Sequence, residues 1–166
     1  YTILTLSLVF QAVSSLEKKC RILALYGGGD HGAYQAGAFK SLAKNLSPEE
    51  AKWQVVTGIS VGSLNGLLIS LFKVGEERKA AEALESIWRN LQGKESIFND
   101  WTPSEIYAPL FASLSISGLY DTSPLKKLII KTLSDKNLER DFFVGVTNFR
   151  NGVYKSFNAN SLNREE

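Results

Sequence analysis
The chain has 166 residues, the length of one ordinary domain, with 44% hydrophobic and 22% charged residues, a balance that excludes both wholesale disorder and a multi-span membrane protein. Nineteen Lys and Arg against 17 Asp and Glu leave a formal charge of +2, too small for a nucleic-acid footprint or a polybasic membrane anchor. A lone Cys20 excludes an internal disulfide, and with His31 as the sole histidine there is no Cys/His cluster, which excludes a structural zinc site; no cofactor and no metal-binding residue is read in the sequence.

Residues 1–16 carry no charge, and the run Ile3 to Phe10 followed by Ala12, Val13, Ser14 and Ser15 reads as the apolar core and cleavage region of a secretory signal without its basic start. Such a segment predicts entry into the secretory pathway or export. It is shorter than the roughly 20 residues of a bilayer span. The alternatives are a buried strand or helix of the domain, with a cytoplasmic or membrane-peripheral protein. No Met occurs anywhere, and both ends read as cut, so the chain is expected to be a fragment with one folded unit over residues 21–166.

From Arg21 short apolar runs alternate with longer helical ones, the pattern of strands joined by crossover helices and hence of an α/β fold with a mainly parallel sheet. Arg21 to Tyr26 predicts a strand, Gly27 to Gly32 a turn, and Ala33 to Leu46 a helix with Ala36, Phe39, Leu42 and Ala43 inward. Ser47-Pro48-Glu49-Glu50 has the cap, proline and capping-box acid of a short helix. A strand follows over Gln54 to Thr57. Gly58 to Gly62 then opens a Leu-rich helix that runs to about Lys73, and Glu76 to Gln92 reads as an amphipathic helix with Ala80, Ala83, Leu84, Ile87 and Leu91 inward. The uncharged stretch Ile106 to Tyr120 reads as core, or else as an acyl-pocket wall or lid. Thr122-Ser123-Pro124 launches a helix over Leu125 to Leu133. Phe142 to Thr147 and Val153 to Phe157 are strands, with Asn151-Gly152 between them signalling a two-residue hairpin.

Two glycine-rich turns carry chemistry. Gly27-Gly28-Gly29-Asp30-His31-Gly32 lies between a strand and a helix, where glycines can aim successive N–H groups at an anion near a helix N-terminus. Read alone it also fits a dinucleotide-binding loop, but that use wants an acid at the end of the next strand, where Thr57-Gly58 stands. Gly58-Ile59-Ser60-Val61-Gly62 has the composition of a nucleophile elbow, with Ser60 alternatively a plain helix N-cap. A serine nucleophile needs a base, and His31 precedes the elbow, so a Ser…Asp…His triad in the usual order cannot be assembled.

The run Ala24 to Gly37 (ALYGGGDHGAYQAG) followed by Gly58 to Gly66 (GISVGSLNG) resembles the patatin-like phospholipases. The resemblance extends from about Arg21 to the C-terminus and implies a three-layer α/β/α fold, here lacking its C-terminal part. It implies hydrolysis of acyl esters of phospholipids or neutral lipids at a membrane or lipid surface by a Ser-Asp dyad. Ser60 would be the nucleophile, and the backbone N–H groups of Gly28, Gly29 and Asp30 the oxyanion hole, with Gly27, Gly32, Gly58 and Gly62 as motif residues. There are two departures. His31 stands where the family usually has Arg or Lys and supplies a positive charge only when protonated, which implies activity rising toward mildly acidic pH. The family's dyad Asp lies in an Asp-Gly motif, and no Asp here precedes Gly, so the base is expected beyond Glu166. Asp100, Asp121, Asp135 and Asp141 read as cap, turn or surface residues. The competing readings are an inactive lipid- or anion-binding relative and a nucleotide-binding α/β domain.

Overall fold
The computed structural model describes residues 19–100, 120–133, 136–148 and 150–161. In chain order the elements are β1 (Ile22–Leu25), α1 (His31–Asn45), β2 (Val55–Ile59), α2 (Val61–Ser70), α3 (Glu77–Asn90), a 3-10 turn (Lys94–Ser96), α4 (Ser123–Leu133), β3 (Asp141–Thr147), β4 (Tyr154–Asn158) and a second 3-10 turn (Ala159–Ser161). The signal-like segment, all but Tyr120 of the uncharged stretch, and Asp135 lie outside the described residues.

One four-stranded sheet has the order β1-β2-β3-β4, parallel across the first three strands and antiparallel at β4. The α/β class and the mainly parallel sheet are those predicted from the alternation of patterns. Leu23 pairs with Val56, and Val56 with Phe142, so these three share one face of the sheet. There Val56 and Phe142 are buried against α2, where a Cβ on Gly66 would meet the Phe142 ring at 2.7 Å and Val56 Cγ1 at 3.1 Å. Both crossovers step in the same direction along the sheet. A single handedness therefore sends their helices to the same face. The core unites Phe39 of α1, Ile69 of α2 and Ala80, Ala81 and Leu84 of α3 with Val56 and Phe142. Phe39 also meets the Trp53 ring at 5.5 Å between centroids. Each such large side chain, fully buried, contributes about 1.5–3 kcal/mol.

The opposite face, carrying Ile22, Tyr26 and Ile59, is open among the described residues, with Tyr26 65% exposed. No helix among the described residues is long and apolar enough to cross a membrane.

Several local expectations shift. Phe39 and Ala43 of α1 are buried as the period requires, but Leu42 faces solvent. At Ser47 the capping box forms, with Ser47 N donating to Glu50 Oε2 (3.2 Å) and Glu50 N to Ser47 Oγ (3.3 Å). It encloses a single turn and no helix, because the chain must extend at once into β2. The hairpin exists with a longer loop than Asn151-Gly152 implies: Asn148 N donates to Val153 O, and Gly152 N returns to Asn148 O with Gly152 at φ 68°.

Among the described residues the most connected buried polar group is Arg140, just before β3. Its guanidinium donates to the carbonyls of Trp53 (2.8 Å), Phe72 (3.0 and 2.8 Å) and Lys73 (2.8 Å) and to Glu77 Oε1 (3.2 Å). Burial lowers its pKa and Glu77 opposes that shift. The fork thus ties the approach to β2, the α2–α3 turn and the start of α3 to the central strand β3.

Candidate active site
The glycine turn and the serine turn stand side by side at the carboxyl ends of neighbouring parallel strands, because Leu25 of β1 is in register with Gly58 of β2. The three-residue run after Gly27 has all three carbonyls tied down, since His31 N donates to Gly28 O (3.0 Å), Gly32 N to Gly29 O (3.1 Å) and Ala33 N to Asp30 O (3.0 Å). Gly29 takes φ 56°, a conformation that a side chain would strain. The N–H groups of Gly28, Gly29 and Asp30 find no acceptor among the described residues, so they remain as donors at the N-terminus of α1. Asp30 is the N-cap position of that helix without a side-chain cap bond, and His31 is its first residue, exposed, with its ring over Gly28.

Ser60 joins β2 to α2 with φ 55° and ψ −128° and is the sole non-glycine residue with positive φ among those described. The N-cap reading fails, since its side chain caps nothing. The backbone folds this sharply because small residues surround it. A Cβ on Gly58 would overlap the backbone of Gly62, one on Gly62 would overlap the ends of Leu25 and Tyr26, and one on Gly27 would lie 3.1 Å from Ser60 Cβ and 3.7 Å from its Oγ. The glycines of the elbow are thus a packing requirement between two strand–turn–helix units.

Gly29, Asp30 and Ser60 all line a cavity of about 770 Å³. Its walls are Leu64, Leu67 and Leu68 of α2, Leu84, Ile87 and Trp88 of α3, and Leu125, Leu128 and Ile129 of α4, with Ile97 and Phe98 beside them. That volume is in the range of small-molecule sites, and such walls suit an apolar ligand. Gly32 lies under the Trp88 ring, and Gly28 stands outside the cavity lining.

The aspartates are spread apart. Asp100 pairs with Lys94 at 2.9 Å, Asp141 is exposed at the start of β3, and Asp121 caps α4. The Ser123 N–H and hydroxyl hold the Asp121 carboxyl below its usual pKa. Among the described residues no group of three metal-ligating side chains occurs.

Sequence reasoning missed Gln35, Asn65 and Trp88, which form a buried polar link behind the two turns. A signal for Asn65 existed: it lies four residues after Val61 and four before Ile69, on the apolar stripe of its helix.

The fold and this pair of turns define an α/β protein with a strand–serine–helix elbow beside a glycine-rich helix N-terminus. The family model for patatin-like phospholipases matches residues 23–164, and the chain belongs to that family, whose members act on lipid acyl esters. Comparison with curated proteins and with solved structures returned no match.

Proposed function
We infer that the protein is a serine-dependent lipid acyl hydrolase acting on phospholipid or neutral-lipid esters. Ser60 Oγ attacks the ester carbonyl, its proton passing to an aspartate that the family resemblance puts downstream of Glu166. The developing oxyanion accepts from the N–H groups of the Gly28-Gly29-Asp30 turn, and the α1 N-terminus lowers the cost of charge there. Collapse of the tetrahedral intermediate expels the alcohol and leaves an acyl-serine, which water then hydrolyses. The cavity walls receive the acyl chain, each buried methylene contributing about 0.8 kcal/mol.

The observation that carries this reading is the backbone at Ser60, held at positive φ on the lining of an apolar cavity. Against a nucleotide site, β2 ends at Ile59 and is followed by Ser60, with no acid for a ribose hydroxyl. The test is labelling of the full-length protein by a fluorophosphonate. The expected result is a covalent adduct in the native protein and none in Ser60→Ala; labelling that survives the substitution overturns the assignment.

A further inference from the structure
Behind the two turns runs a directional chain of hydrogen bonds. Trp88 Nε1 donates to Asn65 Oδ1 (2.9 Å), Asn65 Nδ2 donates to Gln35 Oε1 (3.1 Å), and Gln35 Nε2 donates to Tyr26 O (2.7 Å). The second proton of Asn65 Nδ2 goes to Gly32 O (3.0 Å). An indole N–H can only donate, so Trp88 fixes which end of the Asn65 amide faces it. That orientation leaves both Asn65 protons for α1 and in turn sets the Gln35 amide. Asn65 is 2% exposed and Gln35 7%. Every amide nitrogen and oxygen of Asn65 and Gln35 has a partner, and both protons of Asn65 Nδ2 are used, so the network favours one arrangement.

The carbonyls held are those of Tyr26 and Gly32, one on each side of Gly28-Gly29-Asp30. The group that holds them is Asn65 of α2, on the helix that Ser60 opens, with Gln35 as intermediary on the Tyr26 side. Trp88 adds a steric contact, its ring pressing on Gly32 so closely that a Cβ there would meet Cη2 at 2.8 Å. The same ring lines the apolar cavity.

We propose that Asn65 and Trp88 are positioning residues that hold the Gly28–Asp30 donors in register with Ser60. This rests on the reading of Ser60 as nucleophile. The network touches no reacting atom. Its contribution is to keep two units, carried by different strands, at the spacing an oxyanion needs, and a displacement of about 1 Å at such a site costs about 100-fold in rate.

The test is steady-state hydrolysis of p-nitrophenyl butyrate by the full-length protein, with Trp88→Phe, Asn65→Asp, Ser60→Ala and Ala80→Gly. Trp88→Phe keeps a ring and loses the N–H, whereas Asn65→Asp keeps the acceptor for Trp88 and loses both donors. Each is expected to lower kcat by about 10- to 100-fold with KM within about threefold. Ala80 is buried on α3 outside the cavity, and Ala80→Gly is expected to lower the Tm comparably with kcat unchanged. If both network variants keep native kcat while Ser60→Ala is inactive, the positioning role is overturned and the nucleophile stands. An equal loss of kcat in Ala80→Gly also overturns it, as a plain stability effect. Turnover in Ser60→Ala, or none in the native protein, overturns both readings.

Discussion

Gly62→Ala is expected to abolish most activity and to destabilise the fold at the same time. The first turn of α2 lies against the end of β1 so closely that a Cβ on Gly62 would come within 2.6 Å of the Leu25 carbonyl carbon and 2.7 Å of Tyr26 O. Those atoms are backbone, so no change of rotamer relieves the overlap, and α2 must move away from β1. Ser60 travels with α2 while Gly28–Asp30 stay with β1. We expect at least a 100-fold fall in kcat, the scale of a misplacement of about 1 Å, and about 1–3 kcal/mol lost from stability as in other overpacked sites. The comparison is Gly37→Ala, since nothing lies within 4 Å of a Cβ there. In the interior of α1 that substitution is expected to be neutral or to stabilise by up to about 1 kcal/mol. Urea denaturation and ester hydrolysis on the two variants give the answer; native activity in Gly62→Ala would mean that the spacing of the two turns is not set by this contact.

Arg140→Ala is expected to cost about 3–5 kcal/mol, the penalty for breaking a buried ion pair by removing one partner. It removes the guanidinium from the Glu77 carboxylate, 4% exposed and left with the Gly75 N–H as donor, and withdraws donors from the carbonyls of Trp53, Phe72 and Lys73. A domain's whole stability is about 5–15 kcal/mol, so the variant should unfold at far lower urea with the slope of its transition unchanged. Arg140→Lys should recover only part of the loss, since an ammonium cannot reproduce the planar fork. A midpoint close to native for Arg140→Ala would show that water takes over the guanidinium's bonds.

Much of the fold and the outline of the site follow from local pattern. The strands and helices from Arg21 onward declare themselves through periodicity, and the two turns through their glycine spacing, although the steric reason for Gly27, Gly32 and Gly62 lies in Ser60, Trp88 and the Leu25 and Tyr26 carbonyls of other elements. Legibility fails where the decisive partner is distant. Ser47 to Ala51 has every local signal of a helix start and forms its capping box, yet Trp53 and β2 cut it to one turn. The exposure of Leu42, one step from buried Ala43, depends on where α3 lies, which no window within α1 contains. Gln35, Asn65, Trp88 and Arg140 are polar or amphipathic residues whose partners lie on other elements, so their burial becomes visible only once the helices are packed. Asn65 alone carried a local hint, as a polar residue on an apolar stripe.

The backbone at Ser60 has a consequence for how the sequence can be improved. With φ 55° and ψ −128° this position suits glycine better than any residue with a side chain, and a non-glycine residue there costs about 1–3 kcal/mol. The residue that would make the chain more stable is therefore not the one present. Selection for thermal resistance alone would tend to remove the hydroxyl, and any programme of stabilisation has to hold Ser60 fixed and seek its gains elsewhere.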